Sequence, residues 1–227
     1  MSPHRTLSEE DLREMVLRLA HEIRNPLATI QSAVQLLDHL QKPEGEVKDF
    51  YSSILTEVGR IDCVVRDMQR FVRLDSHTAA QLPVGDVAAA AVESLKSRWP
   101  SDGDRIRLRP GEDAYVLIDW MQVETAISEL IENALRFSPP NSPVVVSWSK
   151  AEKRMVQVTV EDQGPGINEK LKDRILRPFF STSTQGTGLG LNIAARVAEL
   201  AGGRLEWENL HPQGTKFTLV LPVLAWV

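Results

Sequence analysis

Apolar residues recur at steps of three and four through the first third of the chain. Leu12, Val16, Leu19 and Ile23 form one run, continued by Ile30, Val34 and Leu37. Ile54, Val58, Ile61, Val65, Met68 and Val72 form a second. That spacing lays an apolar stripe along one side of a helix, so residues 7–74 are predicted to be helical. Lys42-Pro43-Glu44-Gly45 separates the runs and reads as a turn. The expectation is a helical hairpin with arms of about 30 residues, each about 45 Å long at the helical rise. Two helices alone leave much of such stripes in water. A homodimeric four-helix bundle would cover them.

After Leu82 the pattern changes. Asp86–Trp99 reads as a helix, Arg105–Arg109 and Tyr115–Ile118 as short strands. Asp119 is a good N-cap for a helix running through Leu135. Val144–Trp148 and Met155–Val160 alternate apolar and polar residues as half-buried strands do. Leu189–Ala201 is predicted helical, stopped by Gly202-Gly203. Arg204–Trp207 and Thr215–Leu221 complete the strands. The order predicts an α+β chain: the hairpin first, then an α/β sandwich with helices on one face of a sheet. Ser76–Pro83, polar and ended by proline, is taken as the linker. The domains are accordingly placed at 7–75 and 82–224.

Composition narrows the function. With 227 residues, 42% hydrophobic and 25% charged, the chain has matter for folded domains. A net charge of -5 argues against a nucleic-acid partner, which needs a basic face. The single cysteine, Cys63, rules out an intramolecular disulfide and agrees with a reducing cytoplasm. Cys63 is expected to be packed rather than reactive. No run approaches the roughly 20 apolar residues of a membrane span. The polar, acidic start MSPHRTLSEEDLREM does not read as a signal peptide. The expectation is a cytoplasmic chain whose membrane sensor, if one exists, lies elsewhere.

Four places carry candidate chemistry. His21-Glu22-Ile23-Arg24-Asn25-Pro26-Leu27 sits inside the first predicted helix. An internal proline removes a hydrogen bond at a cost of roughly 3 kcal/mol, which needs a reason. Neutral imidazole is a nucleophile near pH 7. Glu22 can orient the ring or take its proton. Asn25 shares the face of His21, four residues on, where it could hold a water. His4, His39, His77 and His211 have no motif around them and are read as solvated.

Asp162-Gln163-Gly164-Pro165-Gly166 follows a predicted strand. Its carboxylate suits an exocyclic amino group such as that of adenine, and Gly164 and Gly166 let the backbone turn. Gly186-Thr187-Gly188-Leu189-Gly190 precedes a helix, where free N–H groups attract phosphate. It lacks the GK[ST] of a Walker A loop. Glu129 and Asn133 share a face of the helix after Asp119 and could hold Mg²⁺ against phosphates. Arg136 could reach phosphate charge.

The string LAHEIRNPLATIQSAVQLL resembles the H-box of histidine kinases of the HisKA dimerisation type. The resemblance makes His21 the phospho-acceptor, Glu22 its acidic neighbour and Asn25 the candidate for phosphatase activity on the partner. The later motifs, in order, resemble the N, G1, F and G2 boxes of the GHKL ATP-binding domain, with Pro178-Phe179-Phe180 as the F box. Gly214-Thr215, Phe217 and Leu221-Pro222 look like its closing strand, which would put Thr215 near the adenine beside Asp162. The resemblance implies ATP and Mg²⁺ as cofactors, a response-regulator receiver domain as partner and a homodimer.

Two departures stand out. Glu129 occupies a place where many family members have asparagine, and a glutamate there is common in hydrolysing relatives. PFFSTST lacks the basic residue that often follows PFF, leaving Arg136, Arg174 or Arg177 for the γ-phosphate. A non-kinase GHKL ATPase and a scaffold with a dead nucleotide site are the competing readings.

Overall fold

The computed structural model describes residues 9–41, 45–74, 79–183 and 186–226. A few side chains of the two long helices, Glu22's among them, lie outside that description, as does the turn at Lys42–Glu44. The chain divides into two compact units, Met1–Arg73 with Ser183–Thr187, and Leu74–Thr182 with Gly188–Val227.

The first unit is built on α1 (Glu9–Gln41) and α2 (Glu46–Arg73), which pack on each other. Their apolar residues resolve into two heptad seams per helix. Ala20, Leu27 and Val34 on α1 are buried, as are Val58 and Val65 on α2. A seven-residue repeat keeps one seam facing a neighbouring helix. The second seam is also spaced by seven: Ile23, Ile30 and Leu37, with Ile54 and Ile61, each 40–45% exposed. The apolar stripe expected from sequence is thus a double one, and the hairpin buries half of it. Cys63, expected to be packed, is exposed. It lies on a flank of α2 outside the buried seam, where an Arg66 guanidinium nitrogen sits 3.5 Å from its sulfur.

The second unit carries a five-stranded mixed sheet in the order β2-β4-β5-β7-β6. The strands are β2 (Ile106–Arg109), β4 (Val144–Ala151), β5 (Met155–Glu161), β6 (Arg204–Asn209) and β7 (Thr215–Pro222). β2 and β4 are parallel and the other neighbours antiparallel. The register puts like with like. Val146 faces Val160, which faces Phe217, which faces Trp207. Trp148, Val158, Leu219 and Leu205 form the next row. These rows alternate with polar ones, as in Ser147 and Thr159, whose hydroxyls meet at 2.6 Å. One face is therefore apolar. Three helices pack against the sheet: α3 (Val84–Arg98), α5 (Trp120–Phe137) and α6 (Gly190–Leu200). α5 touches both α3 and α6, so the three form one layer. A single helical turn, α4 (Pro100–Gly103), follows α3.

Asp119 caps α5 as expected, its carboxylate accepting from the Gln122 N–H at 3.2 Å. A second expectation fails. Ala80–Pro83, read as linker, is a strand (β1) pairing with β3 (Ala114–Ile118), which also pairs with β8 (Ala225–Trp226). Four residues, two of them exposed, carry too little alternation to betray an edge strand. Ser76 lies outside the described residues.

Candidate active site

In the hairpin, α1 runs uninterrupted through Pro26. Proline has no N–H to give, so the Glu22 carbonyl lacks its usual donor one turn back. His21 and Asn25 are both exposed on this segment. The imidazole stands in water on the helix surface, reachable by a partner molecule. Arg24, between them, points the other way. Its guanidinium reaches α2, donating to Asp62 at 3.1 Å and to Gln69 at 3.0 Å. Asp62 also receives Arg66 at 3.0 Å. Asp62 and Gln69 are seven residues apart, so one side chain grips α2 across two turns. Arg24 lies within the H-box string, but nothing local in the sequence signals this role.

In the second unit, α5 is the wall along which the other motifs gather. Glu129 is buried, and its carboxylate occupies the space a Cβ on Gly190 would need. This brings the acidic helix against the start of α6. Two turns further on, a Cβ on Gly164 would sit 3.0 Å from the Phe137 carbonyl. Ser138, just after α5, accepts the Gln163 N–H at 3.3 Å. The Asp162 turn therefore meets the far end of the same helix, about 12 Å from the α6 start. Asn133, half-buried, falls on the stripe between Glu129 and Phe137. Arg136 is exposed near the C-terminal end of α5.

Asp162 is the most constrained group of the site. It is 4% exposed. Its Oδ1 accepts the Gly164 N–H at 2.7 Å and the Thr215 N–H at 3.0 Å. Burial pushes its carboxyl above the ordinary range, opposed in part by those hydrogen bonds. Thr215 is itself buried, and its carbonyl accepts the Asp162 N–H at 2.9 Å. Thr215 and Asp162 thus adjoin, as the resemblance implied.

Gly188, Leu189 and Gly190 lead into α6 within the second unit, and Gly186 and Thr187 fall outside it. Leu189 is buried in the core, so what it can offer a ligand is backbone. Gly188 has φ +72, and a Cβ there would lie 2.6 Å from the Phe180 nitrogen. Alanine would be strained twice over. Gly188→Ala is expected to destabilise the unit by roughly 1–3 kcal/mol and to weaken nucleotide binding, measurable by thermal melting and calorimetry.

The segment before this loop is held by Asn192, not singled out from sequence, and by Arg174, considered there only for the γ-phosphate. Asn192 on α6 donates to the Leu176 carbonyl at 3.0 Å. Arg174 lies over the Phe180 ring, 4.4 Å from its centroid. Phe179 is 65% exposed. Of the three arginines considered for the γ-phosphate, Arg174 is stacked, and Arg136 and Arg177 are exposed.

Two family models match the chain. The His Kinase A (phospho-acceptor) domain covers residues 11–77. The histidine kinase-, DNA gyrase B-, and HSP90-like ATPase covers 118–225. The alginate biosynthesis sensor protein KinB of Pseudomonas aeruginosa is 29% identical over 92% of this chain and 37% of its own length. Sporulation kinase A of Bacillus subtilis is 30% identical over 92% of this chain and 34% of its own. The chain thus spans little more than a third of these relatives. Among solved structures, full-length ShkA in complex with AMPPNP shares the fold, with a TM-score of 0.70 at 23% identity over 94% of this chain and 46% of that one. The catalytic domain of histidine kinase ThkA aligns with a TM-score of 0.57 at 26% identity, over 65% of this chain and 97% of that one. A phospho-acceptor domain beside the ATPase domain does not favour the non-kinase ATPase reading. No helix among the described residues is long and apolar enough to cross a membrane. With both domains present in this order, the chain belongs to the sensor histidine kinases of two-component systems, of which it is the phospho-acceptor and ATP-binding core.

Proposed function

We propose that this chain uses ATP to phosphorylate His21 and passes the phosphoryl group to an aspartate in the receiver domain of a response regulator. In this reading 7–75 is the dimerisation and phosphotransfer domain and 82–224 the ATP-binding domain. One observation carries it most: an exposed imidazole on α1 in the same chain as a buried carboxylate, Asp162, held by backbone N–H groups against the end of α5.

The adenine amino group donates to Asp162, beside Thr215. The phosphates run toward the start of α6, along Gly186, Thr187, Gly188, Leu189 and Gly190. Glu129 and Asn133 fit a Mg²⁺ ion. They offer a carboxylate and an amide oxygen on successive turns of α5, and magnesium on nucleotides takes few protein ligands and fills its shell with phosphate and water. Bound there, the ion supplies charge neutralisation. An imidazole nitrogen forms a bond to the γ-phosphorus as the bond to the β–γ bridging oxygen breaks. ADP leaves, and Glu22 takes the ring proton. Asn25, exposed beside His21, holds the water for hydrolysis of the partner's phospho-aspartate. ATP as substrate accords with a cytoplasmic location.

The second, exposed heptad seam supports a homodimer through the hairpin. Full burial of such side chains is worth about 1.5–3 kcal/mol each. Ile30→Glu changes both copies at once. It is expected to raise the dimer dissociation constant roughly a hundredfold, seen as a shift to monomer in sedimentation.

Incubation with γ-labelled ATP tests the kinase reading. The expected label is stable in base and lost in acid, as a phosphoramidate is. Rapid phosphate release with no label retained on the protein would contradict it.

A further inference from the structure

The turn that carries Asp162 is held at both of its ends by one β-hairpin. At its start, Asp162 and Thr215 exchange hydrogen bonds, N–H to carbonyl at 2.9 Å and Thr215 N–H to carboxylate at 3.0 Å. At its end, Asn209 does the same with Ile167. The Asn209 amide oxygen accepts the Ile167 N–H at 2.7 Å, and its amide nitrogen donates to the Ile167 carbonyl at 2.9 Å. Asn209 and Thr215 are direct partners across the β6–β7 ladder. The Leu210 N–H closes the hairpin onto the Gly214 carbonyl at 2.9 Å. Two opposed residues of a single hairpin therefore hold the two ends of a six-residue turn.

The chemistry at position 209 is specific. With carboxyl side chains ionised, only a carboxamide both accepts from a backbone N–H and donates to a backbone C=O in this side-by-side manner, and Asn is the short one. Gly166, at φ +78, makes room for it: a Cβ there would lie 3.1 Å from the Asn209 amide oxygen. The side chain replaces the strand pairing that the turn itself cannot make.

We propose that Asn209 is a positioning residue for nucleotide recognition. It fixes the far end of the turn so that the Asp162 carboxylate keeps its direction toward the base. This rests on the reading of Asp162 as the adenine acceptor. Asn209 bonds Ile167 and none of the residues assigned to the phosphates, so its loss weakens ground state and transition state equally. Such a change raises KM and leaves kcat alone. It also blunts the preference for adenine over guanine, which a merely less stable fold would not do.

The test measures autophosphorylation kinetics with ATP and GTP, and binding of a non-hydrolysable ATP analogue, for wild type, Asn209→Ala, Asn209→Asp and Asp162→Asn. Asn209→Ala is expected to raise the KM for ATP and the Kd of the analogue about tenfold, with kcat within about twofold and a smaller ATP-to-GTP preference. Asn209→Asp keeps the acceptor and loses the donor, so about a threefold shift is expected. Asp162→Asn is expected not to bind. Unchanged KM in both Asn209 variants overturns the proposal, as does a fall in kcat with KM constant. If Asp162→Asn binds ATP normally, the adenine reading fails and this inference with it. If Asp162→Asn fails to bind while both Asn209 variants behave as wild type, the inference alone fails. Should Asn209→Ala not fold, the aspartate variant decides.

Discussion

Asp162→Asn is expected to abolish ATP binding without harming the fold. The asparagine oxygen can still accept the Gly164 and Thr215 N–H groups that hold the native carboxylate. Its amide nitrogen, however, presents a donor where the adenine amino group must donate. A charge-assisted hydrogen bond is lost and a buried donor is left unpaired, together roughly 3 kcal/mol or more. That is over a hundredfold in affinity. The stability effect has the opposite sign. Burial raises the folded-state pKa of Asp162 above its unfolded value, so the protonated form favours the native state. That contribution is full below the unfolded pKa and is lost as pH rises through the folded one. Above that raised pKa the native unit carries the cost of an ionised buried carboxylate. The nucleotide-free Asp162→Asn variant should therefore melt at the same temperature as wild type or higher. Nucleotide affinity in wild type should fall on acidification through the raised pKa, sooner than for an ordinary aspartate. Calorimetric titration across pH, with thermal melts of the apo protein, checks both. A variant that binds ATP normally, or that melts many degrees lower, counts against this picture of the site.

His21→Gln is expected to remove all phosphoryl label while nucleotide affinity stays within about twofold. Glutamine keeps the size and helix propensity of an exposed position, so neither hairpin nor cleft should change. It has no nucleophilic ring nitrogen. The split between lost transfer and retained binding is what distinguishes the phospho-acceptor from a structural residue. Filter-bound label and analogue binding, measured on the same preparation, give the two halves. Label persisting at more than a few per cent of wild type would move the acceptor elsewhere.

How legible was this in the sequence? The long elements were, because each has a period that burial enforces. The α5 boundary was readable from a side chain, Asp119, that caps it locally. The edge strands β1 and β8 were not: they owe their existence to pairing with β3, residues far away in the chain. The hairpin stripe was visible, but not its division into a buried and an exposed seam, because both seams recur every seven residues and only the facing helix tells them apart. Cys63 was misread for the same reason. At the site, motif residues such as Asp162 and Gly188 announce themselves by unusual composition. Asn209 and Arg24 do not, since each works through a bond to a residue about 40 positions away that leaves no local pattern. Asn192, which holds the Leu176 carbonyl 16 positions back, likewise leaves no local pattern.

The most direct measurement is tandem mass spectrometry of the wild-type chain after brief incubation with ATP, digested and kept at neutral to basic pH. A phosphoryl group is expected on the imidazole of His21, in the peptide that also contains Glu22 to Leu27. A phosphoryl group found on a hydroxyl or on another histidine, with that peptide unmodified, would contradict it.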